Sequence, residues 1–149
     1  MSTDAINNLK LLGQNIEDLE VISAYCQDSL VIVKDIVFLK QNKTFIMMIN
    51  RFMWEDLEKG AFRENKRIRC AIKFDEVLKV RSKKINQRNK DRVLECLAIK
   101  CKEISNNNYE IKIYFAGDSI ITLIAEFIEV VMRDLGKAWN VKYFPRHKI

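Results

Sequence analysis

The sequence is poor in the residues that most often carry chemistry. Its 149 residues include one proline, four glycines and a single histidine, His147. Metal sites and histidine-based hydrolases need several convergent side chains, which one terminal histidine does not supply. No P-loop, dinucleotide-binding, zinc-protease or nucleophile-elbow string occurs either. We therefore assign no catalytic residue, no cofactor and no metal, and the sequence favours a binding module over an enzyme.

Long hydrophobic runs are also missing. The densest apolar runs are Leu30–Val33, Phe45–Ile49 and Ile120–Ala125. A membrane helix needs roughly 18 apolar residues, so these runs are the size of strands. The N-terminus is polar and carries Asp4 before its first lysine, unlike a secretory signal. We expect a cytoplasmic protein without a membrane span.

The four cysteines, Cys26, Cys70, Cys96 and Cys101, lack the paired spacing of a zinc site. In a cytoplasmic protein we expect free and mostly buried thiols rather than disulfides. Cys96 and Cys101 are five positions apart on a predicted strand. This odd separation predicts that their side chains point to opposite faces.

Positive charge is concentrated in the middle of the chain. The net charge is +6, yet residues 59–92 hold 13 Lys and Arg against 4 Asp and Glu, and residues 1–58 hold 5 against 9. Such asymmetry indicates an anionic partner, either nucleic acid or a membrane surface. The chain is also rich in Ile, Lys and Asn, a bias that AT-rich codons produce without selection for binding. An ordinary solvated surface therefore explains the charge equally well.

Apolar spacing predicts one helix at each end of a β-rich domain. Residues 16–28 have helical periodicity, with Asn15 as the N-cap. Residues 126–135 also have helical spacing and are followed by Gly136 as a C-cap. We expect one domain over residues 1–149, with 1–15 as a loose N-terminal arm and 140–149 as a C-terminal tail.

Between these helices the sequence alternates apolar and polar residues. The clearest alternation covers Ile68–Phe74 and Tyr109–Phe115, which is typical of a sheet with one buried face. Residues 83–92 are polar and predict an exposed loop. Strands are predicted at 30–33, 36–40, 44–52, 67–74, 77–82, 93–104, 109–115 and 120–124.

Consecutive strands without intervening helices exclude a parallel design. The expected fold class is α+β: a single antiparallel β-rich domain of seven or eight strands with an N-terminal and a C-terminal helix. A bent sheet or barrel like that of pleckstrin-homology domains fits this count. The analogy concerns architecture and says nothing about a ligand.

Several short stretches together resemble one family. They are Gln27-Asp28, Asn50–Glu55, Val80-Arg81-Ser82, Phe115-Ala116-Gly117, and Asp134-Leu135-Gly136 with Trp139. In this order they are similar to the alphaproteobacterial domain of unknown function 2948 family, over about Leu9 to His147. Family members often have glycine where Asp118 and Ser119 stand, and arginine where Met53 stands. The resemblance implies a small bacterial cytosolic protein, and it brings no activity, cofactor or catalytic residue.

The most distinctive segment is Asn50–Glu55. Arginine and tryptophan are favoured anchors of interfaces, so Arg51 and Trp54 are our candidates for a protein-interaction site at a strand end. The partner would be another protein or a second copy of the chain, forming a homodimer. The alternative is that Phe52 and Trp54 pack in the core or at its rim while Arg51 forms a surface pair with Glu55.

Nucleic-acid binding is the second hypothesis. If strands 67–74 and 77–82 pair, their cations share one sheet face, and the 83–92 loop extends it. Such a face binds a phosphate backbone in a salt-dependent and sequence-independent manner. The segment has no interleaved aromatic residues, and it lacks the amphipathic helix that would favour lipid headgroups. The candidates are Arg67, Arg69, Lys73, Lys79, Arg81, Lys83, Lys84 and Arg88.

Overall fold

The described part of the chain forms one antiparallel sheet of nine strands and a single α-helix. The computed structural model describes residues 9–53 and 66–140. The strand order across the sheet is β1-β9-β4-β3-β2-β6-β7-β8-β5. The elements are β1 (Lys10–Gly13), α1 (Ile16–Cys26), β2 (Leu30–Leu39), β3 (Thr44–Phe52), β4 (Lys66–Phe74), β5 (Val77–Lys83), β6 (Val93–Glu103), β7 (Tyr109–Phe115), β8 (Ser119–Ala125) and β9 (Val130–Asn140).

The two connections β4–β5 and β8–β9 run side by side. Backbone hydrogen bonds join them, from Asp75 N to Glu129 O and from Glu126 N to Glu76 O, both 2.9 Å. On one side of this point β4 pairs with β9, and on the other β5 pairs with β8. The buried residues of both parts belong to one apolar core, in which the Phe45 and Phe74 ring centroids lie 5.9 Å apart.

Helix α1 confirms the predicted N-terminal helix, although it ends at Cys26, two residues earlier than expected. Asn15 is the N-cap, and its side-chain oxygen accepts a hydrogen bond from Asp18 N at 2.7 Å. A cap of this kind stabilises a helix by about 1 kcal/mol. The helix packs along β6, where Ile99 N donates to Ser23 Oγ at 2.8 Å. Within residues 9–53 and 66–140, no helix has the length and apolar character needed to cross a membrane.

The predicted C-terminal helix is wrong. Residues 126–129 form a connection, and β9 begins at Val130. Along β9 Val130, Met132 and Asp134 are buried while Arg133 is exposed, which is the alternation of a strand. The left-handed backbone of Gly136 (φ 74°) lies where the pairing of β9 with β4 shifts register, so this glycine serves a bulge instead of a helix C-cap.

Other differences change the strand count from seven or eight to nine. The predicted turn at residues 34–35 is absent from β2, which runs unbroken from Leu30 to Leu39 with a register shift between Val31 and Ile36. Within residues 1–15, expected to be a loose arm, Lys10–Gly13 forms the edge strand β1 and pairs with β9. Residues 1–8 and the tail from 141 onwards lie outside the described residues.

Candidate functional site

Arg51 lies in the interior of the protein. Its side chain is 0 % exposed and is directed inward from β3. Arg51 Nε lies 2.7 Å from Asp134 Oδ1, and Nη2 lies 2.8 Å from Oδ2, so the pair is bidentate. The guanidinium carbon is also 5.7 Å from the centre of the Tyr25 ring. The expectation of an exposed Arg51, whether as an interface anchor or as a surface partner of Glu55, is therefore corrected.

Asp134 joins three strands through this pair. Its Oδ2 accepts a hydrogen bond from Leu9 N at 2.8 Å, and its own backbone N–H donates to Leu9 O at 2.9 Å. Arg51 is on β3 and Asp134 on β9, while Leu9 immediately precedes β1. The buried pair thus fixes the edge strand to the middle of the sheet, and its role is structural.

Trp54, the other candidate for protein interaction, lies outside the described residues. The preceding Met53 is 7 % exposed and therefore buried. A protein contact at Trp54, and a homodimer, stay predictions.

The predicted basic set is divided by the fold. The predicted shared face requires β4 and β5 to be neighbours in the sheet. However, β4 pairs with β3 and β9, whereas β5 pairs with β8. The expectation of one shared face over these two strands is therefore wrong. Their connection lies where the pairing partners change, so consecutive strands belong to different parts of the sheet.

The three predicted site residues on β4 are engaged within the protein. Arg67 is 9 % exposed and donates from Nη1 to Asp28 O at 3.2 Å and to Asn50 O at 3.1 Å. Burial lowers the pKa of this guanidinium from its usual value. Arg69 Nη2 is 3.4 Å from Asp35 Oδ2. Lys73 Nζ is 3.7 Å from Asp75 Oδ2.

The cations of β5 are exposed and form part of a larger surface. Lys79, Arg81 and Lys83 alternate with Val80 and Ser82 along the strand. Residues directly opposite each other on adjacent antiparallel strands share a face. Arg81 lies opposite Thr122 of β8, Thr122 opposite Lys112 of β7, and Lys112 opposite Lys100 of β6. We call Arg81, Lys112 and Lys100 the cationic row.

Two further rows flank the cationic row on the same side of the sheet. One runs through Lys79, Ile124, Glu110 and Lys102, and the other through Lys83, Ile120, Tyr114 and Ala98. The basic face is the outer surface formed by these three rows. It carries six cationic side chains and one acidic side chain, Glu110, whose Oε1 is 3.8 Å from Lys102 Nζ.

Like charges meet directly within the cationic row. Lys100 and Lys112 are opposite each other on neighbouring strands, which are about 4.8 Å apart in a sheet. Such a pair destabilises a sheet relative to a neutral or oppositely charged pair. Among the described residues, no acidic side chain lies within ion-pair distance of any of the three cations. The row is therefore suited to binding a negatively charged partner.

Tyr114 adds an aromatic ring to the basic face. It is half-buried, and Lys100 Nζ lies 5.8 Å from the ring centre. Tyr114 is two residues from Lys112 on β7, which separates the two positions by about 7 Å along the strand. The surface thus offers cations and an aromatic ring within a few ångströms of each other.

Lys100, Lys102, Lys112 and Tyr114 were not among the residues predicted from the sequence. A signal was present, because these residues occupy the polar positions of the alternating strands β6 and β7. This alternation does not show that the lysines of β6 and β7 share a face with the cations of β5, because that depends on the strand order β6-β7-β8-β5. Pairing between strands distant in sequence brings the three cations of β5 together with three lysines from outside residues 59–92.

The loop predicted at residues 83–92 is largely exposed, but it begins at residue 84 because Lys83 is the last residue of β5, and hydrogen bonds anchor it. Arg92 Nη1 donates to Lys84 O at 2.9 Å, and Ser119 Oγ donates to the same oxygen at 2.8 Å. Lys84 Nζ lies 3.9 Å from Asp118 Oδ2, and Arg88 is exposed. These two predicted site residues therefore lie beside the basic face, beyond the end of β5.

The cysteines are free thiols, three of them buried. Cys96 and Cys101 both point towards the core, in contrast to the prediction, because a bulge between Cys96 and Ala98 adds one residue and changes the alternation. Burial raises the pKa of all four thiols, that of Cys96 to about 12 and that of Cys101 to about 11. These thiols are protonated at neutral pH and are poor nucleophiles. The described residues contain no group of three or more His, Cys, Asp or Glu side chains that could hold a metal ion.

Comparison with known proteins supports the resemblance found in the sequence. No curated protein matches the chain. The model of one family, described as a protein of unknown function (DUF2948), matches residues 9–147. Because the match covers most of the chain, this protein belongs to the DUF2948 family.

Proposed function

We propose that this protein is a binding module that holds single-stranded nucleic acid on the basic face. The observation that carries the proposal is the cationic row, in which Arg81, Lys112 and Lys100 lie in line across four strands without an acidic partner among the described residues. A phosphate backbone would replace the mutual repulsion of these cations with attraction. The cytoplasmic location that the sequence favours would give the protein access to such a partner.

Tyr114 and its neighbours favour a single strand over a duplex. Proteins that bind single strands combine a positively charged track with aromatic rings on which bases stack. Ile120 lies opposite Tyr114 and is half-buried, so it offers an apolar surface beside the ring. In a duplex the bases are already stacked on one another, so this part of the face would contribute less.

Binding of a labelled 12-nucleotide oligothymidine across a salt series tests the proposal. Neutralising three to six phosphates on a single strand gives a slope of about −2 to −4 in a plot of log K against log salt concentration. We expect a slope in this range, together with measurable binding at 0.15 M salt. Binding that appears only at very low salt would contradict the proposal and would indicate an ordinary solvated surface.

Two controls separate nucleic acid from other polyanions. Replacing Tyr114 by leucine removes the stacking ring but keeps an apolar side chain, and we expect roughly a tenfold loss of affinity for the oligonucleotide. The same substitution should leave binding to inorganic polyphosphate unchanged. If polyphosphate or phosphatidylserine vesicles bind as tightly as the oligonucleotide, or if Tyr114→Leu has no effect, the proposal is overturned.

A further inference from the structure

A cleft of about 350 Å³ opens on the other side of β5 from the basic face. β5 is an edge strand of the described sheet and pairs only with β8 among the described strands. The second half of β2, from Ile36 onwards, pairs with β3. The cleft separates β5 from β2. Its walls include Ile36 and Phe38 of β2 and Val80 of β5. Its volume is at the lower end of the range for small-molecule sites.

Backbone hydrogen bonds bound the cleft at both ends. At one end Val77 N donates to Lys43 O at 2.8 Å, which joins the start of β5 to the turn after β2. At the other end Lys34 N donates to Lys90 O at 3.0 Å, which joins β2 to the anchored loop at residues 84–92. A bounded cleft suits a small molecule better than a peptide that would have to pass through it.

The lining changes from apolar to cationic. Val33, Phe45 and Ile121, which are all below 9 % exposed, are the most buried lining residues. The exposed lining residues are polar, and two of them are the lysines Lys34 and Lys90. No acidic residue is among the described residues that line it. Lys34 Nζ lies 3.5 Å from Asp91 Oδ1, but both groups are exposed, and such pairs contribute little.

From this polarity we infer that the cleft binds a small amphipathic carboxylate, with its hydrocarbon portion between β2 and β5 and its carboxylate at Lys34 and Lys90. The apolar floor and walls would remove the hydrocarbon from water. The two ammonium groups would bind the carboxylate through charge-assisted hydrogen bonds. This inference is independent of the proposed function, because Val80 and Arg81 lie on opposite faces of the same strand.

Calorimetric titration of the full chain with decanoate tests the inference. We expect one decanoate per chain and roughly tenfold weaker binding of decyltrimethylammonium, which has the same chain with a cationic head. In the Lys34→Ala/Lys90→Ala variant, decanoate affinity should fall roughly tenfold while binding of neutral decanol stays unchanged. The control variant Lys10→Ala/Lys40→Ala removes two exposed lysines that do not line the cleft, and it should bind decanoate normally.

Filling the cleft with a bulky side chain tests whether the hydrocarbon portion of decanoate lies between β2 and β5. Val80→Trp fills the cleft from its β5 wall and should abolish decanoate binding, whereas Val37→Trp, at an exposed position of β2 that does not line the cleft, should not. Amide chemical shifts of the wild-type protein provide a readout that needs no variant, and decanoate should shift Val33, Ile36 and Ile121. Equal binding of the cationic analogue, normal binding by a folded Val80→Trp variant, or shifts confined to other residues would each overturn the inference.

Discussion

Replacing Arg51 by methionine should lower the free energy of unfolding by about 3–5 kcal/mol. The substitution leaves the Asp134 carboxylate, whose side chain is 0 % exposed, without its bidentate partner. Leu9 N would still donate to Asp134 Oδ2, but one neutral N–H does not balance a buried charge. Urea unfolding followed by circular dichroism gives the free energy by linear extrapolation.

The matched control is Arg69→Met on the adjacent strand β4. Arg69 and Asp35 form a more exposed pair at 3.4 Å, so this change should cost no more than about 1 kcal/mol. The double variant Arg51→Met/Asp134→Leu removes both buried charges and should recover most of the stability, as apolar replacement of buried pairs often does. Equal costs for Arg51→Met and Arg69→Met would contradict the structural role of the buried pair.

Reversing the cationic row, with Arg81→Glu, Lys100→Glu and Lys112→Glu, should weaken oligonucleotide binding at least about 100-fold at 0.1 M salt. Loss of three phosphate contacts on a single strand makes the slope of log K against log salt concentration less negative by about 2. Because 0.1 M salt is one logarithmic unit below 1 M, this change in slope lowers the binding constant at 0.1 M by about 100-fold. The three substituted positions are on the outer face, so the thermal unfolding midpoint should stay close to that of the wild type.

A second triple variant separates the row from net charge. Lys10→Glu, Lys40→Glu and Arg133→Glu produce the same change in total charge at exposed positions outside the basic face. Charges outside the basic face make no direct contact with the bound strand, and at 0.1 M salt, where the Debye length is about 10 Å, salt screens much of their remaining effect. We expect this control to weaken binding less than about fivefold. If both triple variants lose affinity equally, the protein binds through its overall charge and the row has no special role.

The strands and helix that rest on local patterns were predictable from the sequence. Alternation placed β4 and β7 correctly, an apolar run located most of β8, and Asn15 indicated the start of α1. β9 was missed because Asp134 stands at an inward position, which interrupts the apolar alternation. Its partner Arg51 is 83 residues away and stands at an inward position of β3. A polar residue becomes acceptable in a core only when a distant partner satisfies it, and local patterns do not contain that partner.

The candidate site was predictable only in part, for a related reason. The exposed cations of β5 were identified because they are close together in sequence. Lys100, Lys112 and Tyr114 join them only through the pairing of β5 with β8, β8 with β7 and β7 with β6. Conversely, Arg67 belongs to the same basic segment but donates to backbone oxygens in the interior. The density of charge along the chain therefore identified the basic segment at residues 59–92. Strand pairing determines which of its residues share a surface with residues from other strands.

The most direct test of the basic face is an amide chemical-shift map of the isotope-labelled protein with oligothymidine at 0.15 M salt. The account predicts that the largest shifts fall on the outward positions of β5, β8, β7 and β6, with Arg81, Lys100, Lys112 and Tyr114 among them. Shifts on β4 and β9 should be small, because their cations lie on another part of the sheet. Largest shifts away from those four strands, or none at saturating oligonucleotide, would contradict the account.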